Sequence, residues 1–104
     1  MEFHQYQFAS KDFLLCSANN SQYLFTGLAG EVGEVCSLYA KAVRDNEGGV
    51  CTDDLGKELG DVLWFVSQIA TYYGLDLGQI SDSNIKKLQS RKDRNKLSGS
   101  GNDR

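Results

Sequence analysis

Two long stretches of this sequence repeat apolar residues at the spacing of an amphipathic helix, and they restrict the chain to a helical fold. The first runs from about residue 20 to 44, with Leu24, Leu28 and Val35 on one stripe, and the second from about 52 to 73. Sustained alternation typical of strands is missing, and the sequence contains no proline. We therefore predict an all-α protein built as a four-helix-type bundle.

Two shorter helices complete the predicted bundle. The first covers about residues 3–16, and the last, basic helix begins near residue 76 or 81 and ends near 94. Thr52 or Asp53 suits the N-cap of the third helix, and Gly74 suits its C-cap. Residues 45–49, with the sequence DNEGG, form a loop between the two long helices.

The length and charge of the chain limit its class. A chain of 104 residues fits one domain, which we place at 1–94, followed by a flexible C-terminal tail at 95–104. A formal net charge of -3 argues against a nucleic-acid binder, which is usually basic. We therefore expect a small-molecule substrate and no nucleic-acid partner.

The cysteines and the hydropathy pattern favour a cytoplasmic protein. Cys16, Cys36 and Cys51 are odd in number and form no CxxC pair, so neither a disulfide framework nor a structural zinc site is expected. Cys36 lies within an apolar helix and is expected to be a small core residue. No run of apolar residues approaches the length of a membrane span, and the N-terminus lacks the pattern of a signal peptide.

Each of the two long helices places a pair of carboxylates against its apolar stripe. At about 100° of rotation per residue, Glu31 falls inside the stripe of the first helix and Glu34 on its border. Glu58 and Asp61 take the same two positions on the second helix. A buried carboxylate without a partner costs free energy or becomes protonated, so four of them together require a compensating group.

A divalent cation would compensate both pairs at once. Helical residues three apart have Cβ atoms about 5–6 Å from each other, so two packed pairs can converge on one ion. Oxygen ligands of this kind suit Mg²⁺ or Mn²⁺. The alternative is that the carboxylates lie on the rim of the bundle and pair with Lys41, Arg44 or Lys57. The offset that both pairs share favours the metal site.

In their sequence contexts, GLAGEVGEV and KELGDVLWFV, the two carboxylate pairs resemble those of MazG-like nucleotide pyrophosphohydrolases, members of the all-α NTP pyrophosphatase superfamily. The similarity extends over roughly residues 23–91, and the tail GSGNDR is similar to that of compact single-domain members. The resemblance implies hydrolysis of a nucleoside triphosphate, with a deoxynucleotide as the first expectation. Cleavage between the α and β phosphates would give a monophosphate and pyrophosphate and would control the nucleotide pool.

The resemblance also implies roles for individual residues. Glu31, Glu34, Glu58 and Asp61 would hold Mg²⁺, for which Mn²⁺ can substitute, and one of them would orient or deprotonate the attacking water. Many members carry a further acidic residue just before the second pair. Lys57 stands there in this sequence, so the identity of the general base is left open.

The last helix offers groups that suit the remaining phosphate oxygens. Asn84, Lys87 and Arg91 recur at spacings of three and four and share one face, and similar positions contact phosphate in the family. The alternative is a solvated basic face with nothing bound. Lys41 suits a phosphate ligand and an ion-pair partner equally well.

Trp64 follows Asp61 by one helical turn and could stack on a base. Packing against a neighbouring helix or subunit is the more common role of such a residue, and we favour it. A ferritin-like di-iron site is excluded because it needs two Glu-x-x-His motifs and His4 is the single histidine.

Several aromatic side chains provide more apolar surface than one small core requires, and members of the family that the sequence resembles form dimers and tetramers. We therefore predict a homodimer or homotetramer. The aromatic residues in question are Tyr6, Phe13, Tyr39, Trp64, Tyr72 and Tyr73.

Two other functions compete with the predicted hydrolase. A non-catalytic helical module would bind a nucleotide or a partner protein through the basic helix and release no pyrophosphate. A nuclease-like phosphodiesterase would share the metal cluster, but the acidic balance of the chain disfavours it.

Overall fold

The computed structural model describes residues 1–99 and 101, and its regular structure consists of four α-helices joined by short connections. Among the described residues there is no strand, which confirms the predicted all-α fold. Two short 3₁₀ turns, Lys11–Phe13 and Cys16–Ala18, follow the first helix. The helices are α1 (Phe3–Ser10), α2 (Ser21–Arg44), α3 (Thr52–Tyr72) and α4 (Leu77–Asp93).

The first helix is shorter than predicted. It ends at Ser10 rather than near residue 16, where the chain tightens into the 3₁₀ turn Lys11–Phe13. The backbone of Leu14 and Leu15 is then extended, with ψ of 116° and 146°, so the α-helix cannot continue to residue 16. Phe13 and Leu15 lie largely in solvent.

The starts of α2 and α4 and the end of α3 follow local rules of capping. The start of α3 does not, because its N-cap residue is Cys51, whose side chain makes no capping hydrogen bond, so the predicted N-cap at Thr52 or Asp53 is wrong. The side chain of Asn20 accepts a hydrogen bond from the N–H of Tyr23 at 2.8 Å and caps α2. Asp76 does the same for Gln79 at 2.9 Å, which confirms the earlier of the two predicted starts for α4. Gly74 has a φ of 70° after the end of α3, as predicted for a C-cap glycine.

The long helices α2 and α3 form an antiparallel hairpin. Near the start of α2, the ring of Tyr23 lies 5.9 Å from that of Phe65, and Gly27 lies against the same ring of Phe65. A Cβ atom at Gly27 would overlap this ring, so the glycine allows the two helices to approach closely. Among the described residues, few apolar side chains are buried, namely Leu24, Ala42, Phe65, Ala70 and Leu77.

A buried polar cluster holds α1 across α3. The hydroxyl oxygens of Ser10 and Ser67 lie 2.9 Å apart, and the amide of Gln68 donates to Ser10 Oγ at 2.8 Å. The indole N–H of Trp64 donates to the carbonyl of Ser10 at 3.1 Å. Because buried polar groups cost free energy unless they are paired, these bonds fix where α1 crosses α3.

Gln7 ties α1 to the turn between α3 and α4. Its amide nitrogen donates to Thr71 Oγ1 at 3.0 Å and to the Leu75 carbonyl at 2.8 Å. Its amide oxygen accepts from the N–H of Leu77 at 2.7 Å. One side chain therefore joins α1, the end of α3 and the first residue of α4.

The single chain is open in shape. Its radius of gyration is 16.5 Å, whereas a compact domain of this size has about 13 Å. Cys36 is exposed, so the prediction that it is a core residue is wrong. The reason is that α2 presents one part of its wide apolar face to α3 and leaves the part that carries Cys36 uncovered.

Candidate active site

Three of the four predicted carboxylates meet between the hairpin helices. One oxygen from each of Glu31, Glu58 and Asp61 lies within 4.8 Å of the other two. Glu31 comes from α2, whereas the other two lie one turn apart on α3. The two helices can bring these groups together because they approach closely at Gly27.

The electrostatics of this carboxylate cluster are unfavourable while it carries its full charge. The pKa of Glu31 is raised, chiefly by loss of solvent, and further by the charges of Asp61, Glu58 and Glu34 in that order. Within residues 1–99 and 101, no lysine or arginine lies within 4.0 Å of the cluster. A cation held by these oxygens would compensate this charge.

Glu34 lies outside the group of three. It is exposed, one turn beyond Glu31 on α2, and its charge still contributes to the raised pKa of Glu31. The structure thus brings together one carboxylate of the first pair and both carboxylates of the second.

The donor set fits a hard divalent cation. Carboxylate oxygens are the ligands that Mg²⁺ and Mn²⁺ prefer, and Mg²⁺ is usually held by a few carboxylates together with waters and substrate phosphates. Glu31 and Glu58 are half-buried and Asp61 is exposed, so the cluster is open on one side. That opening leaves room for water or a phosphate beside a bound ion.

Comparison with known proteins agrees with this geometry. Residues 19–95, most of the chain, match the MazG nucleotide pyrophosphohydrolase domain. The chain belongs to this family. It is also similar to the Gene 37 protein of Mycobacterium phage L5, with 42% identity over 91 residues that cover 85% of this chain and 80% of the phage protein. No solved structure matches the chain.

Three of the predicted phosphate ligands of this MazG chain lie on α4. Asn84 is exposed and Lys87 half-buried, and both line a groove beside Leu75 and Asp76 in the turn before α4. Arg91 has an exposed fraction of 4%, and its Nη2 donates to the Gly101 carbonyl at 3.1 Å. Phosphate binding by these three residues stays a prediction.

The two remaining predicted site residues have different surroundings. Lys41 is exposed in the last turn of α2. Trp64 is half-buried, and its ring meets that of Phe65 edge-on at 5.0 Å while its N–H bonds to Ser10. These contacts are those of a packing residue. Base stacking by Trp64 stays a prediction.

Tyr6 lies near the site although it was not among the predicted site residues. The pKa of Tyr6 is raised by burial and by the charge of Asp61, so this hydroxyl of α1 lies near the carboxylate cluster. The period of α1 places Tyr6 on one face with Phe3 and Ser10, but no pattern in the sequence shows that this face meets α3 beside Asp61.

No helix in the described part of the chain is both long and apolar enough to cross a membrane.

Proposed function

We propose that this MazG-family protein hydrolyses nucleoside or deoxynucleoside triphosphates to the monophosphate and pyrophosphate, and so controls the nucleotide pool. The observation that supports this most strongly is the convergence of Glu31, Glu58 and Asp61 from two helices within 4.8 Å. Phosphoryl transfer depends mainly on positioning and on neutralising charge, which such a cluster provides once it holds a metal ion.

The metal proposed for this site is Mg²⁺, with Mn²⁺ as a substitute. Glu31, Glu58 and Asp61 would hold it, and Glu34 would reach it by a change of side-chain rotamer. The ion would supply positive charge for the phosphate oxygens. One of the carboxylates would orient the attacking water or accept its proton. The cationic side chains of Lys41, Lys87 and Arg91 and the amide of Asn84 would bind the outer phosphates.

The test is pyrophosphate release from the four dNTPs and four NTPs, each with Mg²⁺, with Mn²⁺ and with EDTA. Metal-dependent release together with the monophosphate would establish cleavage between the α and β phosphates. We expect Glu58→Gln to abolish release while its helical circular dichroism is unchanged. Glu47→Gln, in the exposed loop after α2, makes the same change of charge and should behave as wild type.

Turnover by Glu58→Gln at the wild-type rate would refute the role of the carboxylate cluster. Nucleotide binding without pyrophosphate release, with metal present and the protein folded, would favour the non-catalytic binding module instead. The observation that supports the binding module is the groove lined by Asn84 and Lys87, which offers a polar surface for a ligand.

We also propose that the protein is a homodimer or homotetramer. An open stripe of α2 carries apolar side chains at intervals of three, four and seven residues, and Tyr39 within it is 66% exposed. The open face is long, since α2 has 24 residues and therefore spans about 36 Å. The stripe has no charged residue, so the same stripe on a second copy of the chain can pack against it. The stripe consists of Phe25, Val32, Cys36, Tyr39 and Val43.

Sedimentation at micromolar concentration tests this assembly, and a monomer would contradict it.

We further propose a cytoplasmic location, because the three cysteines are exposed and unpaired, as is usual for reduced thiols.

A further inference from the structure

Arg91 is buried although it lies in the last turn of α4. Its exposed fraction is 4%. The contacts of α4 with α1 lie near the start of α4, where Gln7 accepts from the N–H of Leu77 and a shallow pocket between the two helices reaches as far as Asp82. Arg91 lies about 14 Å beyond Asp82, at the rise of about 1.5 Å per residue of an α-helix. Another part of the chain therefore covers this side chain.

The C-terminal tail turns back toward α4 as soon as the helix ends. Asn95 has a left-handed φ of 58°, and the N–H of Lys96 donates to the Arg91 carbonyl at 2.6 Å. These are features of the Schellman motif that ends many helices. Gly99 and Gly101 have φ of 121° and 89°, values that other residues rarely adopt. The sequence of the tail thus suits a reversal of the chain.

The guanidinium of Arg91 holds the returning tail. Its Nη2 donates to the Gly101 carbonyl at 3.1 Å, a bond between residues ten positions apart. Arg91 therefore binds the tail both through its own carbonyl and through its side chain. A phosphate would be a stronger partner for this guanidinium, because both groups are charged and two parallel hydrogen bonds can form.

We propose that the C-terminal tail is an autoinhibitory latch on Arg91, which a triphosphate displaces when it binds. This inference rests on the proposed function, in which Arg91 binds an outer phosphate. While the Gly101 carbonyl occupies the guanidinium, Arg91 is shielded from a ligand. Only the fraction of molecules with the tail released offers this cation, so the apparent affinity for a triphosphate is lowered by that fraction.

The experiment compares the full chain with a chain that ends at Lys96. The shorter chain keeps the turn at Asn95 and lacks the Gly101 carbonyl. The probe is inorganic tripolyphosphate with Mg²⁺, and its Kd is measured by titration calorimetry, which does not depend on turnover. A hydrogen bond to a charged group changes an equilibrium constant by about tenfold or more. The shorter chain should therefore bind tripolyphosphate about tenfold more tightly, and the KM for a nucleoside triphosphate should fall with the Kd.

Two kinds of variant control this comparison. In Arg91→Gln the two chain lengths should have equal Kd values, and a difference that persists would overturn the latch because the tail would then act elsewhere. Gly101→Ala is strained at its left-handed φ and should tighten binding in the full chain, by less than the truncation does. Gly48→Ala makes the same change in the loop before α3, at a φ of 79°, and should leave the Kd unchanged. If the shorter chain loses its helical circular dichroism, Gly101→Ala takes its place.

The outcomes separate the latch from the hydrolase. Equal or weaker binding by the shorter chain would overturn the latch, whether or not the protein releases pyrophosphate. Tighter binding by the shorter chain without pyrophosphate release by either chain would support the latch and refute the hydrolase. If neither chain binds tripolyphosphate, the latch is overturned as well, because Arg91 then has no phosphate to exchange for the Gly101 carbonyl.

Discussion

Glu31→Gln should stabilise the protein when metal is absent. Glu31 lies within 4.8 Å of both Glu58 and Asp61. Because solvent reaches the cluster, each repulsion has about the strength it would have in water at that distance, roughly 1 kcal/mol. Removing the charge of Glu31 therefore relieves about 1–2 kcal/mol, which raises Tm by about 4–8 °C per kcal/mol in a domain of this size.

The assay is thermal unfolding by circular dichroism at one protein concentration, first with EDTA and then with Mg²⁺. In EDTA, Glu31→Gln should have a higher Tm than wild type. Glu47→Gln makes the same charge change far from the cluster, so its Tm should equal that of wild type. Saturating Mg²⁺ should raise the wild-type Tm, because Mg²⁺ at a hundred times its Kd adds about 2.7 kcal/mol to the free energy of unfolding. The variant should gain less because it has lost a ligand.

The pH dependence follows from the raised pKa of Glu31. A carboxyl with a raised pKa in the folded state contributes full stability below its ordinary value of 4.5, and the contribution is lost as pH rises through the folded pKa. The advantage of Glu31→Gln should therefore be complete at pH 7 and should vanish below about pH 4.5. A variant no more stable than wild type at pH 7 in EDTA would refute the repulsive cluster.

Three further predictions concern packing and assembly. Gly27→Ala should destabilise the hairpin by about 1–3 kcal/mol, because its methyl group overlaps the Phe65 ring. Gly33→Ala has open space and should instead stabilise α2 by up to about 1 kcal/mol, so equal melting of the two variants would contradict the close approach. Gln7→Ala should cost about 1–3 kcal/mol in urea unfolding, because three hydrogen bonds are lost together. Tyr39→Glu should sediment as a smaller species than wild type, and an unchanged assembly would exclude this part of α2 from the interface.

The helices and the carboxylates were predictable because both depend on local geometry. The 3.6-residue period shows which residues share a face, and it places Glu31 in the stripe of its helix and Glu58 in the stripe of the other. Packing of two apolar stripes then brings the carboxylates together without further information. The N-cap of α4 at Asp76 was recognisable for the same reason, since a cap depends on residues within one turn.

What the sequence could not predict depends on contacts between distant parts of the chain. Ser10, the last residue of α1, bonds to Ser67, Gln68 and Trp64, each more than fifty residues away. These contacts hold α1 across α3, where the charge of Asp61 reaches Tyr6. Helical spacing put Arg91 on one face with Lys87, but its guanidinium bonds to a carbonyl of the C-terminal tail.

The difference between local geometry and long-range contacts explains why the carboxylates were easier to place than the candidate phosphate ligands. Glu31, Glu58 and Asp61 lie on two helices that are joined by a short loop, so packing of these helices through their apolar stripes brings the three carboxylates together. The position of α4 relative to them is set by its packing on α1 and by the turn at Gly74. A helical period contains none of that information, because it describes one helix at a time. Candidate phosphate ligands on α4 can therefore be recognised by residue type and spacing, whereas their position relative to the carboxylates depends on contacts between separate helices.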